Sequence, residues 1–239
     1  MSAHAIKIGK VFGITVRIDQ SWFIMFVFLS WILAESFFPF EVHNLATITY
    51  WVMGISTSLL FFITVLLHEL SHAVTARKFN LNPENITLYI FGGLADIGGK
   101  MQKPLVEFWI ALAGPVCNLI IAFVLILIGQ YTTQYAVLSV SISYLAYTNF
   151  ILAIFNMVPA FPLDGGRVFK ALIWKFTGNF QKALHISVKV SRAIAFLFII
   201  TGLYFLLKGH IAQGIWIAFI GWFLESAAAA QLAPDNIPQ

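Results

Sequence analysis

The sequence predicts an all-α polytopic membrane protein: about six transmembrane helices with a small β-hairpin or sheet near the cytoplasmic face. Three observations lead there. Apolar residues make up 60% of the 239 residues and charged residues only 10%, against roughly 25% charged in soluble domains. Such a chain cannot cover its surface in water, so lipid is the solvent for much of it. Second, long apolar runs recur six times. Third, with the N-terminus placed in the cytoplasm, Lys208 is the one Lys or Arg of the 14 that falls on the opposite side, as the positive-inside rule requires.

The elements follow in order. Residues 6–18, IKIGKVFGITVRI, alternate apolar and polar positions and predict a strand or strand pair at the membrane surface. Lys7, Lys10 and Arg17 are spread through it, unlike the clustered charge of a cleaved signal peptide. Apolar runs then cover about 21–36, 50–76, 105–128, 136–162, 190–207 and 211–230. About 20 residues are needed to cross the ~30 Å hydrocarbon core, so the first run is short and the fifth marginal. Between the second and third, 84–99 is too polar and glycine-rich to cross. Thr87–Phe91 favours a strand and Gly92-Gly93 a turn or bulge. Residues 1–239 are expected to form a single membrane-embedded domain with its core at about 6–230 and a loose tail at 231–239. The lone Cys117 excludes an intrachain disulfide and reads as a packing residue. The tryptophans, Trp22 among them, suit interfacial anchoring and lipid-facing packing.

The second run contains His68-Glu69-Leu70-Ser71-His72. Residues four apart share a helix face, so both imidazoles can reach one Zn²⁺, and Glu69 can act as general base toward a water held there. Charged and titratable side chains at membrane depth are costly and seldom lack a role. A catalytic zinc takes three protein ligands and keeps an open position. The best third ligand is Asp164, in Asn156-Met-Val-Pro-Ala-Phe-Pro-Leu-Asp164-Gly-Gly-Arg167. Pro159 and Pro162 break the helix there, and Gly165 and Gly166 free the backbone to turn. Such irregular backbone is tolerated in a membrane only where protein or water covers it.

These motifs together resemble the site-2 protease family of intramembrane zinc metalloproteases, in particular its prokaryotic members. The matching pieces are HELSH at 68–72, FGG at 91–93, AGPVCN at 113–118 and NMVPAFPLDGGR at 156–167. The resemblance covers about 6–230. It implies that His68, His72 and Asp164 ligate one zinc, that Glu69 activates water, and that peptide bonds in transmembrane or membrane-adjacent segments are hydrolysed. It implies a role for Asn156 in binding the oxyanion or the substrate backbone. It places the FGG segment beside the cleft, where an extended substrate could pair with its edge and Gly92 and Gly93 permit close approach; a purely structural hairpin is an equal alternative. Gly114, Pro115 and Asn118 are expected to pack the third span on the catalytic helix. The partners expected are membrane-protein substrates with a transmembrane segment, the lipid bilayer and regulatory proteins, not nucleic acid. Many relatives carry a regulatory domain after the last span, so the chain is read either as naturally minimal or as cut after about residue 231.

Other titratable residues fit the background. His4, His43, His185 and His210 are expected to be solvated or interfacial; Glu107 and Glu225 are ambiguous, a solvated place at the cytoplasmic boundary being open to both. A rival from another class is a membrane metal or ion transporter using His68, His72 and Asp164 as a transit site, which has no need of a base at Glu69. A binding scaffold has no use for that carboxylate either.

Overall fold

The computed structural model describes residues 5–90, 92–96 and 103–232. His4, Phe91, Lys100 and the tail from 233 onward lie outside the described residues. The chain divides into two compact units. One comprises Met1–Gly99 with Ala113–Ala153, the other Lys100–Leu112 with Ile154–Gln239.

The first unit starts with strands β1 (Ile6–Val11) and β2 (Ile14–Ile18). Phe12 and Gly13 turn the chain between them, both at positive φ. Glycine adopts that backbone freely, whereas Phe12 is held in it, and the Arg77 guanidinium donates to the Phe12 carbonyl. Helix α1 (Gln20–Ile32) opens with Asp19 as N-cap, whose carboxylate accepts from the Ser21 N–H at 3.0 Å. A π-helical turn, Leu33–Phe37, then carries the chain into α2 (Phe38–Glu41), which contains Pro39. The first span is thereby longer than its apolar run at 21–36. It is a 22-residue segment, Gln20–Glu41, about 33 Å at the helical rise.

Helix α3 (Thr47–Lys78) is the second span and carries the histidine motif. Strands β3 (Asn85–Tyr89) and β4 (Gly92–Asp96) follow. The strand or strand pair expected at 6–18 and the hairpin expected at 84–99 join in one sheet, ordered β1-β2-β3-β4. β2 and β3 pair in parallel from Thr15 with Asn85 to Ile18 with Leu88. The inner face of this sheet presents Ile14 and Ile86 to Leu70 and Ala73, which flank the histidines on α3. A second cluster, Trp22, Phe62, Val65 and Leu88, locks α1 and α3 to the same sheet. Trp22 is thus buried, not lipid-facing: its ring stacks on Phe26 at 5.2 Å and meets the Phe62 edge. Helix α4 (Pro104–Gln130) runs unbroken through Pro115, and α5 (Ala136–Asn156) follows it.

In the second unit, α6 (Asp164–Thr177) is a short amphipathic helix ended by Gly178 in the left-handed conformation. Helices α7 (Phe180–Leu207) and α8 (Ile211–Ala230) form a hairpin. Its closest approach is glycine against backbone: a Cβ on Gly202 would lie 2.6 Å from the Ala218 nitrogen and 2.8 Å from the Gly214 oxygen. Gly202→Val should push the two helices apart and destabilise the unit by roughly 1–3 kcal/mol, read as a lower midpoint of thermal unfolding in detergent. Among the described residues, six helical segments are long and apolar enough to cross a membrane, the number expected.

Candidate metal centre

His68 and His72 sit one turn apart on α3, both nearly inaccessible. Their spacing turns both Nε2 atoms to the same side, 3.1 Å apart, with the rings edge to face. Two nitrogens so close must share either a proton or a cation. Ser71 between them donates to the His68 carbonyl at 2.6 Å.

Two glycines outside the motif shape the space around it, and both lie in the same unit as α3. A Cβ added to Gly114 of α4 would fall 2.3 Å from His72 Nε2 and 2.6 Å from His68 Nε2. No side chain fits between α4 and the two ring nitrogens. A Cβ added to Gly93 of β4 would fall 2.3 Å from Glu69 Cγ and 2.8 Å from its Cδ. The strand therefore lies flat on the Glu69 side chain, which is only partly exposed. Gly92, by contrast, has open space around it but a φ of 130°, a backbone region that favours glycine.

Asp164 belongs to the other unit, as the first residue of α6 and 8% exposed. The first turn of a helix favours a carboxylate through its unpaired N–H groups and dipole. Arg167, one turn on, lies 3.8 Å from Asp164 Oδ1. Gly165 and Gly166 are required by packing. A Cβ on Gly165 would meet the Met157 and Val158 carbonyls at 2.4 Å, and one on Gly166 the Ala160 carbonyl carbon at 2.8 Å. The strap 157–163 is thus wrapped directly on the helix end that presents Asp164. Asn156 closes α5 at the start of that strap and is partly buried.

His68, His72 and Asp164 each offer one ligand atom, and these atoms all lie within 4.8 Å of one another. Two imidazoles and a carboxylate form a donor set suited to zinc, whose ligands, at bond lengths near 2.0–2.1 Å in a tetrahedron, stand about 3.3 Å apart. The 3.1 Å between the imidazoles fits that spacing.

The family model for peptidase family M50 matches residues 56–198, a stretch that contains the histidine motif, both site glycines and Asp164. The chain belongs to peptidase family M50. The resemblance to site-2 proteases read from the motifs is borne out. Among M50 relatives, Rip3 of Mycobacterium tuberculosis is 34% identical over 94% of this chain. A zinc metalloprotease of Methanocaldococcus jannaschii is 30% identical over 84% of it. The chain spans only 58% of the first relative's length and 54% of the second's. The solved site-2 protease from Methanocaldococcus jannaschii superposes with a TM-score of 0.61 over 99% of both chains at 24% identity, which shows the shared fold.

Two features escaped the sequence reading. Gly114 was expected merely to bring helices together, whereas it borders the ligand atoms themselves. For Glu107 a solvated place was left open, yet it is 2% exposed and paired with Lys170 at 2.7 Å. A charge near the end of an apolar run defaults to a solvated reading, and only the position of its partner corrects it.

Proposed function

We propose that this M50 chain is an intramembrane zinc metalloprotease that hydrolyses peptide bonds in transmembrane or membrane-adjacent segments of other membrane proteins, with its N-terminus and site on the cytoplasmic side. The observation that carries the reading is the convergence of His68, His72 and Asp164 ligand atoms within 4.8 Å, with Glu69 adjacent on a helix long enough to span the bilayer. Zinc, when bound, supplies Lewis acidity that polarises a carbonyl and acidifies water.

The residues divide the work. His68 and His72 hold the ion through Nε2, and Asp164 through a carboxylate oxygen. Glu69 takes the proton of the attacking water and returns it to the leaving amine. Asn156 offers an amide donor to the developing oxyanion or to the substrate backbone. β4 is the last strand of the sheet, and an extended substrate segment would pair along it at Gly92 and Gly93, its main-chain groups satisfied by the strand rather than left bare. The orientation rests on the placement of basic residues.

The test uses the purified chain in liposomes with a single-span substrate. One zinc per chain is expected. Cleavage should stop with a chelator and return with zinc, and Asp164→Ala should lose both zinc and cleavage. Zinc flux into the liposomes without any cleavage would establish the transporter instead.

A further inference from the structure

A second charged cluster, outside the metal centre, lies entirely within the unit that carries Asp164. Lys170 Nζ is 2.7 Å from Glu107 Oε1, and both residues are buried, at 8% and 2% exposure. The same ammonium sits over two rings, 5.9 Å from the centroid of Phe161 and 5.1 Å from that of Phe180. A buried charge pair is expensive to assemble and costly to break, and cation–π contacts add to it when desolvated. The three partners come from three separate segments. Glu107 is in the first turn of α4, Phe161 in the strap three residues before Asp164, and Phe180 at the start of α7. Lys170 itself lies on α6, six residues after Asp164.

The strap is also held from its other side. The Phe161 N–H donates to Ser191 Oγ at 3.0 Å, and that hydroxyl donates to the Ser187 carbonyl at 2.8 Å. The Phe161 ring packs among Leu184, Val188 and Ala228. Phe161 is therefore held at its N–H by the Ser191 hydroxyl of α7 and at its ring by the Lys170 ammonium. Gly165 and Gly166, pressed on the strap carbonyls, pass that restraint to the first turn of α6.

We propose that Glu107 and Lys170 are a positioning pair: their ion pair fixes the strap and α6 so that the Asp164 carboxylate is held in the place where it ligates the metal. This rests on the reading of Asp164 as a zinc ligand. It assigns a role to two residues that touch neither ion nor substrate. Outer partners of metal ligands typically change affinity 10–100-fold when removed.

The experiment compares the full chain in detergent with Glu107→Gln, Lys170→Met and the charge-conserving Lys170→Arg. Zinc affinity is measured by competition with a chelator, and amide hydrogen exchange on the zinc-free protein. Glu107→Gln and Lys170→Met should weaken zinc binding roughly 10–100-fold and speed exchange in 157–166, with exchange in α8 unchanged. Lys170→Arg keeps the charge though not the compact ammonium geometry, and should lose less zinc affinity than Lys170→Met. On a cleaved substrate, kcat should fall while KM holds. Exchange rising evenly through α6, α7 and α8 with zinc affinity intact would reduce the pair to a structural one and overturn the proposal, as would a Lys170→Arg loss equal to that of Lys170→Met. Because affinity and exchange need no turnover, a parent that binds zinc and cleaves nothing would sink the protease reading alone.

Discussion

Glu69→Gln is expected to abolish measurable proteolysis while leaving zinc in place. The substitution keeps the shape of the side chain and removes its basicity. Proton transfer by a positioned group contributes about 10²–10⁴-fold, so turnover should fall by at least two orders of magnitude. The packing should survive, because β4 lies against Cγ and Cδ at Gly93, and Gln has the same carbons. Metal content should match the parent, since the proposed ligand atoms are those of His68, His72 and Asp164. Turnover by Glu69→Gln within a few-fold of the parent would remove Glu69 as the base, even if zinc stayed essential.

Gly114→Val is expected to lose the metal and keep the fold. The added carbons would fall where the Nε2 atoms of both histidines now stand, at 2.3 and 2.6 Å. Imidazoles are side-chain ends and can swing away, so α3 and α4 need not separate. What cannot survive that swing is the convergence of the two nitrogens, now 3.1 Å apart. Zinc affinity should drop by more than the 10–100-fold typical of outer-shell changes, because here the ligands themselves are displaced. Zinc per chain after dialysis is the direct measure, with circular dichroism and the unfolding midpoint as controls for the fold. Retention of one zinc per chain would show that the ring nitrogens do not face α4 at Gly114.

The spans were legible because lipid imposes a one-dimensional demand. A crossing helix needs a long apolar run whatever its neighbours are, and residues 50–76 or 105–128 show it without any tertiary knowledge. The histidine pair was legible for a similar reason, since helical periodicity alone places residues four apart on one face. Other features were not local. The pairing of β2 with β3 joins residues about 70 positions apart, and neither strand's alternation names its partner. Helix α6 has polar positions along its length and no lipid-length run, so it vanished between the fourth and fifth spans. The length of the first span depends on a π-helical turn that no composition signals. The Glu107–Lys170 pair looked like two boundary charges because burial is a property of the assembled unit, not of either residue. The spacing of the histidines was thus readable, while the place of Gly114 against the ring nitrogens and the burial of the Glu107–Lys170 pair were not.

The parallel seam from Thr15–Asn85 to Ile18–Leu88 constrains more than local shape. Between its two strands the chain makes two membrane-length helices, α1 with its continuation to Glu41 and then α3. Strands can share hydrogen bonds only on one side of a bilayer, so the seam enforces parity: the number of crossings between residues 18 and 85 has to be even. Flipping the first span alone would tear the backbone ladder open. The N-terminal hairpin is therefore tethered to the leaflet where α3 ends by main-chain pairing, a lock that would persist if the charges of Lys7, Lys10 and Arg17 were neutralised.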